Sequence, residues 1–386
     1  MRCFDTLVPR RGTDCVKWDA HAQQNVSPEA IPLWVADMDF EIPAAVTEAL
    51  QQRAAHEVYG YPLAGQDYFC SIQNWMLRRH DWQIETDWIV PVPGVVPAIN
   101  LAIQAFTEPG DGILIQRPVY PPFINAAQGE GRRLVNNPLV LKDDSYHLDM
   151  ADFEAKIVDQ GVKLFVLCSP HNPVGRVWTR EELKQMGDIC LEHNVLIVSD
   201  EIHHDLIFPG EKHYPLPVVD PAYNKCTLVC TAPSKTFNIA GLKASNIIIP
   251  DAELREKFAA TASRWGLGVN SLGLVACQAA YSHGDEWLDE VMKYVHANRA
   301  YVQDYLERFP MLKLTQSQGL YLLWLDCRGL GLSAEELEDF MLDQAGLWLN
   351  QGHRFGQEGR GFVRINIACP RSLLVQAMEQ LSKAIK

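Results

Sequence analysis

Residues 195–204 read VLIVSDEIHH, and this stretch decides the fold that the sequence predicts. An apolar run of strand length ends there directly at polar residues, which is typical of a strand buried on both faces of a sheet. The same pattern occurs at residues 163–175, KLFVLCSPHNPVG, and at residues 227–235, TLVCTAPSK. We therefore predict neighbouring parallel strands that each carry polar side chains at the carboxyl end.

The spacing of these strand ends fits repeated strand–helix–strand units. Asn172 and Asp200 are 28 residues apart, and Asp200 and Lys235 are 35 residues apart. A strand, a crossover helix and the next parallel strand need roughly 30 or more residues. Residues 181–193 supply the first crossover helix, with Thr179 as its N-cap. Because parallel sheets bind ligands beyond the carboxyl ends of their strands, we expect Asn172, Asp200 and Lys235 to meet in one crevice.

The rest of the chain predicts an α/β protein with two parts. Strand and helix patterns alternate through about residue 280, which is typical of a mainly parallel sheet. Strand-like residues 319–326 and 361–367 then alternate with helical residues 334–345 and 372–386, as in a separate α+β module. Further strands are predicted at residues 89–92, 113–116 and 245–249, and further helices at about residues 44–56, 65–80 and 286–308.

Composition restricts the class of protein. The 386 residues are 47% hydrophobic and 21% charged, an ordinary globular balance. The net charge of −14 argues against nucleic acid or an anionic membrane as a partner. The ten cysteines form no Cys-x-x-Cys pair, which favours reduced thiols and a cytoplasmic location. The first residues lack the apolar segment of a signal peptide, and no apolar run reaches the roughly 18 residues of a membrane span.

Lys235 is the clearest candidate for a reactive side chain. It follows Pro233 just beyond an apolar run, among small and hydroxyl side chains. A lysine held there can form a Schiff base with a carbonyl compound, provided that the amine is partly desolvated or lies near another positive charge. A solvated surface charge is the usual role of a single lysine, and only the neighbouring strand ends favour the chemical role.

Several motifs together resemble those of the fold-type-I pyridoxal-phosphate enzymes, the aspartate aminotransferase superfamily. The broad superfamily elements are Asn-Pro-x-Gly at residues 172–175 and Ser-Asp-Glu at residues 199–201. The run WVADMDF at residues 34–40, the histidine His203 and SKTFN at residues 234–238 are similar to the MalY and PatB group of carbon–sulfur lyases. The resemblance covers nearly the whole chain.

This resemblance implies a domain organisation. A large pyridoxal-phosphate-binding domain with a mainly parallel seven-stranded sheet would comprise residues 46–280. Residues 281–386 would form a smaller α+β domain, joined by the amino-terminal residues 1–45. The active site would lie between the domains, at the interface of a homodimer.

The resemblance also implies roles for catalytic and substrate-binding residues. Lys235 would bond to the cofactor and act as the base, and Asp200 would pair with the protonated pyridine nitrogen. Arg364 would bind the substrate carboxylate, beside the backbone of Trp34 and Ala36. A strand-end aspartate that caps a helix is the alternative for Asp200, and a surface arginine is the alternative for Arg364.

The remaining cofactor contacts are implied in the same way. Asn172 and His203 would lie beside the phenolic oxygen of the ring, and Tyr120 would stack on its face. A plain turn, a structural histidine and a core tyrosine are the respective alternatives. A turn that opens a helix predicts a phosphate site, because free amide groups at a helix start bind a dianion. The candidate phosphate contacts are Gly94, Val95, Val96, Ser234, Lys243 and Tyr61, the last across the dimer interface.

The implied activity is cleavage of the Cβ–S bond of L-cystathionine or related L-cysteine conjugates to a thiol, pyruvate and ammonia. An aminotransferase is the alternative, since it uses the same lysine, aspartate and arginine. A regulator that has kept the fold without the activity is less favoured, because Lys235, Asp200 and Arg364 are intact. Glu201, His203, His204 and Asp205 are metal-ligand types, but no recognised ligand spacing supports a metal hydrolase, so we predict no metal.

Overall fold

The structure, a computed structural model, describes residues 4–385 apart from the side chain of residue 130. The strands, numbered in chain order, are Ile31–Pro32 (β1), Ile89–Val92 (β2), Gly112–Ile115 (β3), Arg133–Asn136 (β4), Val140–Lys142 (β5), Ser145–His147 (β6), Val162–Cys168 (β7), Leu196–Asp200 (β8), Thr227–Thr231 (β9), Ser245–Ile248 (β10), Lys313–Leu314 (β11), Leu322–Asp326 (β12), Leu347–Trp348 (β13), Asn350–Gln351 (β14) and Phe362–Asn366 (β15).

The helices are numbered in the same way. They are Val16–Asp19 (α1), Ala44–Ala54 (α2), Gln66–His80 (α3), Val95–Phe106 (α4), Pro121–Gln128 (α5), Met150–Asp159 (α6), Arg180–Glu192 (α7), Leu216–Val219 (α8), Pro233–Thr236 (α9), Ala252–Arg264 (α10), Ser271–His283 (α11), Asp285–Leu306 (α12), Ala334–Asp339 (α13) and Arg371–Ile385 (α14). No helix within residues 4–385 is long and apolar enough to cross a bilayer.

The predicted seven-stranded, mainly parallel sheet is confirmed. Its order is β2-β10-β9-β8-β7-β3-β4, with β10 antiparallel to both of its neighbours and the other neighbouring pairs parallel. The three strands β7, β8 and β9 are almost wholly buried, which is why their sequences are continuously apolar. Their register places Cys168 beside Asp200 and Asp200 beside Cys230, so the polar residues that follow emerge at one edge.

The crossover helix α7 begins where its sequence predicts. Thr179 accepts a hydrogen bond from the amide of Glu182, and the Glu182 side chain accepts one from the amide of Thr179. This capping box satisfies two amide groups that a helix start leaves without partners. The helix then returns the chain to the start of β8, as the spacing of Asn172 and Asp200 requires.

The carboxy-terminal part contains a second, antiparallel sheet in the order β11-β12-β15-β14. The amino-terminal segment reaches this part of the molecule, because β1 pairs with β13 through Ile31 and Leu347. The side-chain amide of Asn366 in β15 donates to the carbonyl oxygens of Val35 and Asp37. The start of the chain is therefore held against the second sheet next to residues 34–40.

Two local predictions were wrong in extent, and one strand of the large sheet was not predicted. The strand predicted from residue 319 begins at Leu322, because Leu320 has a positive φ of 69° and its amide donates to Leu206 instead. The α-helix that was predicted to reach residue 345 ends at Asp339. The next residues, Phe340–Gln344, form a π-helix. The edge strand β4 was not predicted, since only two of its residues are apolar. The cysteines from Cys15 onward are free thiols, and Cys3 lies outside the described residues.

Candidate active site

Lys235 lies in the single turn α9, which starts directly after β9. Pro233 is its first residue, a position that tolerates proline because the amide there has no helical acceptor. Lys235 Nζ donates to the carbonyl oxygen of Ala36 at 2.6 Å, and the hydroxyl of Tyr321 donates to the same oxygen at 3.1 Å. The amine therefore points from the sheet edge towards the amino-terminal segment.

The surroundings of Lys235 make its amine easier to deprotonate. Burial, and next the positive charge of Arg364, lower the pKa of Lys235 to about 8, against the opposing charges of Asp37 and Asp200. A free amine is the nucleophilic form of lysine. Near neutral pH this side chain therefore has a much larger reactive fraction than an exposed lysine has.

Asp200 ends β8 and is buried. Its burial raises the pKa of the carboxyl group to about 7, although the amide of Ile202 and the charge of Lys235 lower it. The amide of Ile202 donates to Oδ1 at 3.0 Å. A buried carboxylate of this kind is stabilised when it faces a positive or strongly donating group, because an opposite charge offsets the cost of desolvation.

Arg364 in β15 provides buried hydrogen-bond donors opposite the lysine. Its Nη1 donates to Asn172 Oδ1 and its Nη2 to the carbonyl oxygen of Trp34, both at 2.9 Å. Its buried Nε has no hydrogen-bond partner within residues 4–385. Burial lowers the pKa of Arg364 to about 10, and the groups that oppose this effect are the hydroxyls of Tyr120 and Tyr321. A buried guanidinium held by neutral oxygens can receive the carboxylate of a ligand.

His203 and Tyr120 share this region. His203 Nδ1 is buried without a hydrogen-bond partner among the described residues. Burial holds the pKa of His203 well below its usual value, and the charges of Lys235 and Arg364 act in the same direction. Burial also raises the pKa of Tyr120, which Arg364 opposes and Asp200 reinforces. Both side chains are therefore uncharged near pH 7, and both can donate to an oxygen of a ligand.

The start of α4 lies at the residues for which the sequence predicts an anion site. Gly94 is the N-cap with φ 142°, a conformation that L residues rarely adopt, and an added Cβ would lie 3.3 Å from Pro97 Cδ. The first backbone hydrogen bond at this end runs from the Ala98 amide to the Gly94 carbonyl at 3.2 Å. The preceding amides of Val95 and Val96 have no intrahelical acceptor, so they are available to a phosphate group.

Not every predicted residue lies in this site. Tyr61 is 106% exposed relative to a reference tyrosine, in a segment outside the helices and strands. Lys243 is also exposed, with a left-handed φ of 48°. Ser234 is partly buried beside Lys235. Within one chain the structure therefore brings together the lysine, the acid and the arginine, and it leaves Tyr61 and Lys243 at the surface.

The segment at residues 34–40 is fixed by contacts that the sequence did not reveal. Asn238 accepts from the Met38 amide and donates to the carbonyls of Met38 and Phe40, each at 2.9 Å. The ring of Trp34 stacks on Trp348 with centroids 4.5 Å apart. Tyr321, which shares the Ala36 oxygen with Lys235, was also missed. For Asn238 its place in the SKTFN motif was a usable signal, whereas Tyr321 follows Leu320 in a segment that predicts only a strand.

Comparison with known proteins identifies the same family that the sequence motifs resemble. Residues 28–381 match the family described as Aminotransferase class I and II. The chain is 44% identical to cystathionine beta-lyase PatB of Bacillus subtilis, covering 99% of both chains, and 36% identical to protein MalY of Escherichia coli, covering 99% and 98%. The solved structure of cystalysin from Treponema denticola, which contains a pyridoxal 5'-phosphate cofactor, superposes with a TM-score of 0.97 at 39% identity, covering 100% and 99%.

Proposed function

The chain belongs to the class I and II aminotransferase family, and on this premise we propose that it is a pyridoxal-phosphate-dependent carbon–sulfur β-lyase. Its substrate is L-cystathionine or a related L-cysteine conjugate, which it converts to a thiol, pyruvate and ammonia. The lyase relative at 44% identity over nearly the full length supports this reaction over transamination. The observation that carries the chemistry is the partly buried amine of Lys235, whose pKa responds to Arg364 and Asp200.

The residues in the site fit pyridoxal phosphate. The free amides at the start of α4 suit the phosphate, and Asp200 suits the ring nitrogen. Asn172 and the unpaired Nδ1 of His203 suit the phenolic oxygen. Bound pyridoxal phosphate supplies an electron-withdrawing ring that stabilises negative charge at the Cα of an amino acid.

The protein side chains perform the remaining steps. Lys235 would hold the aldehyde end of pyridoxal phosphate, and its amine would serve as the base for the proton at the substrate Cα. Asp200 would hold the protonated ring nitrogen through its negative charge. Arg364 binds the substrate carboxylate and so orients the Cα–H bond towards Lys235. Loss of the β-thiolate and addition of water give pyruvate and ammonia.

We further propose that the protein is a homodimer in the cytoplasm. Large exposed apolar side chains cluster in one segment, at Val58, Tyr59, Tyr61 and Leu63, as in a surface that another chain covers. In the dimer Tyr61 contacts the phosphate in the partner's site, and Lys243 adds a positive charge near its own. A mass in solution of one chain, 43.5 kDa, by light scattering would contradict the dimer.

The domain division follows from the same premise. Residues 46–280 form the large domain, and residues 1–45 join residues 281–386 in the small one. The pairing of β1 with β13 supports this division. A crystal structure in which residues 1–45 contact only residues 46–280 would contradict it.

Turnover without a keto acid tests the reaction type. We expect the holoenzyme to release many equivalents of pyruvate per active site from L-cystathionine alone, because β-elimination regenerates the starting enzyme. Pyruvate is measured with a coupled dehydrogenase after removal of free cofactor. An aminotransferase would instead convert one equivalent of cofactor per site to its amine form and then stop. It would turn over repeatedly only when a keto acid is added.

Cofactor capture should depend on pH through Lys235. The amine must be unprotonated to react, and its pKa without cofactor is about 8. We expect the rate of cofactor bonding to fall about tenfold per pH unit below pH 8 and to level off above it. Mixing cofactor-free protein with pyridoxal phosphate between pH 6 and 10 and following the near-visible absorbance measures this rate. A rate that keeps rising to pH 10 would mean that Lys235 titrates as an exposed lysine does.

A further inference from the structure

A second group of chemically active side chains lies behind the active site. His80 ends α3, while Glu201, His204, Asp205 and His213 follow β8. All five residues are buried. The rings of His80 and His204 stack with centroids 4.2 Å apart, and the ring of His213 lies 5.9 Å and 6.1 Å from them. Three imidazoles and two carboxylates therefore share one enclosed volume.

Asp205 already accepts hydrogen bonds from three donors. Its Oδ1 accepts from Trp75 Nε1 at 3.1 Å and from His80 Nε2 at 2.8 Å. Its Oδ2 accepts from Thr236 Oγ1 at 2.7 Å. These bonds fasten α3 and the residue after Lys235 to one carboxylate, so Asp205 has a structural role of its own.

His204 is less well satisfied than the two carboxylates. Glu201 Oε2 accepts from His213 Nε2 at 2.9 Å, and its Oε1 accepts from the Ser199 hydroxyl and the Leu216 amide. His204 is 1% exposed, and neither ring nitrogen has a hydrogen-bond partner among residues 4–385. Its Nε2 lies 3.2 Å from Asp205 Oδ2, within ion-pair distance but without hydrogen-bond geometry. A buried imidazole whose ring nitrogens make no hydrogen bond is costly unless a further group binds it.

The ligand atoms of Glu201, His204 and His213 all lie within 4.8 Å of one another. We propose that these three residues form a binding site for a divalent transition-metal cation of the Zn²⁺ type, with water at the fourth position. Two imidazoles and one carboxylate are an established zinc ligand set. A dication would also offset the charge of two buried carboxylates.

Coordination requires little rearrangement. It replaces one hydrogen bond, that between His213 and Glu201, with two metal–ligand bonds. One ring nitrogen of His204 binds the metal, and the other becomes free to donate to Asp205. A carboxylate that orients a metal-bound histidine in this way is a common outer-shell arrangement. Asp205 in turn holds Thr236, so the site is linked to the turn that carries Lys235.

Two sequence neighbours of the cluster lie at the surface. Asp81 follows His80 and is 73% exposed, and Lys212 precedes His213 and is 55% exposed. These two side chains form an ion pair at 2.8 Å. The buried cluster is therefore adjacent along the chain to solvent-exposed residues.

Zinc binding by the holoenzyme tests the site. After dialysis against a chelator, equilibrium dialysis with Zn²⁺ and metal analysis should give one tightly bound ion per chain. We expect His204→Gln and His213→Gln to weaken this binding at least about tenfold, and the exposed His56→Gln to leave it unchanged. Equal affinity in the wild type and His204→Gln, or no retained zinc in the wild type, would overturn the proposal.

A measurement on the wild type alone keeps the test independent of variants that fold poorly. X-ray absorption at the zinc edge should show only nitrogen and oxygen neighbours, at about 2.0–2.1 Å. Sulfur neighbours at about 2.3 Å would place the ion on cysteine thiols and would reject the site. Neither readout uses lyase activity, so the outcome is separate from that of the proposed function.

Discussion

Replacing Lys235 with alanine should lower kcat/KM for pyruvate formation from L-cystathionine by at least about 10⁴-fold. The substitution removes the amine that holds the cofactor and the base that takes the Cα proton. No other described amine donates to the Ala36 carbonyl, so no neighbour can replace it directly. The purified variant should also lack the near-visible absorbance of cofactor bonded to lysine.

Lys225→Ala is the matched control for this experiment. Lys225 is exposed and lies just before β9, the strand that leads to Lys235. The control should retain wild-type turnover and absorbance, which shows that removing a lysine is harmless in itself. The proposal fails if Lys235→Ala keeps more than a hundredth of the wild-type kcat/KM, or if its absorbance matches that of the control.

Much of the fold could be predicted because β7, β8 and β9 are buried on both faces. A strand that is buried on both faces has a continuously apolar sequence. The polar residues at its end are therefore easy to recognise in the sequence. The same logic located Asn172, Asp200 and Lys235, which lie at or just beyond the carboxyl ends of those strands. The start of β12 could not be predicted, because Leu320 has a positive φ that the alternation of apolar and polar residues does not indicate. The strand therefore begins only after Leu320.

The parts of the site that sequence did not reveal depend on distant contacts. Tyr321 and Ala36 are far apart in sequence, and only the folded chain joins them through one hydrogen bond. The buried histidine cluster is similar, because His80 and His213 lie outside the 201–205 segment in which metal-ligand types were noticed. Periodicity reports which face of an element is buried, and it carries no information about which distant side chain lies opposite.

Asp200→Asn should lower kcat by about 10³-fold and should leave the cofactor bonded to Lys235. Each tenfold loss corresponds to about 1.4 kcal/mol of barrier, so this change is about 4 kcal/mol. An asparagine has nearly the same shape, but it has no charge with which to keep a proton at the ring nitrogen. Without that proton the ring is a weaker acceptor of the charge at Cα, and deprotonation becomes slow.

The pattern of kinetic changes distinguishes this role from a structural one. Because Arg364 still binds the carboxylate, we expect KM for L-cystathionine to stay within about tenfold of the wild-type value. Asp159→Asn, which changes an exposed aspartate in α6, should alter neither constant. Hydrogen exchange at Cα, followed by NMR in heavy water, should slow in step with kcat in Asp200→Asn. If exchange stays fast while kcat falls, Asp200 acts after proton removal, and its assignment to the ring nitrogen is wrong.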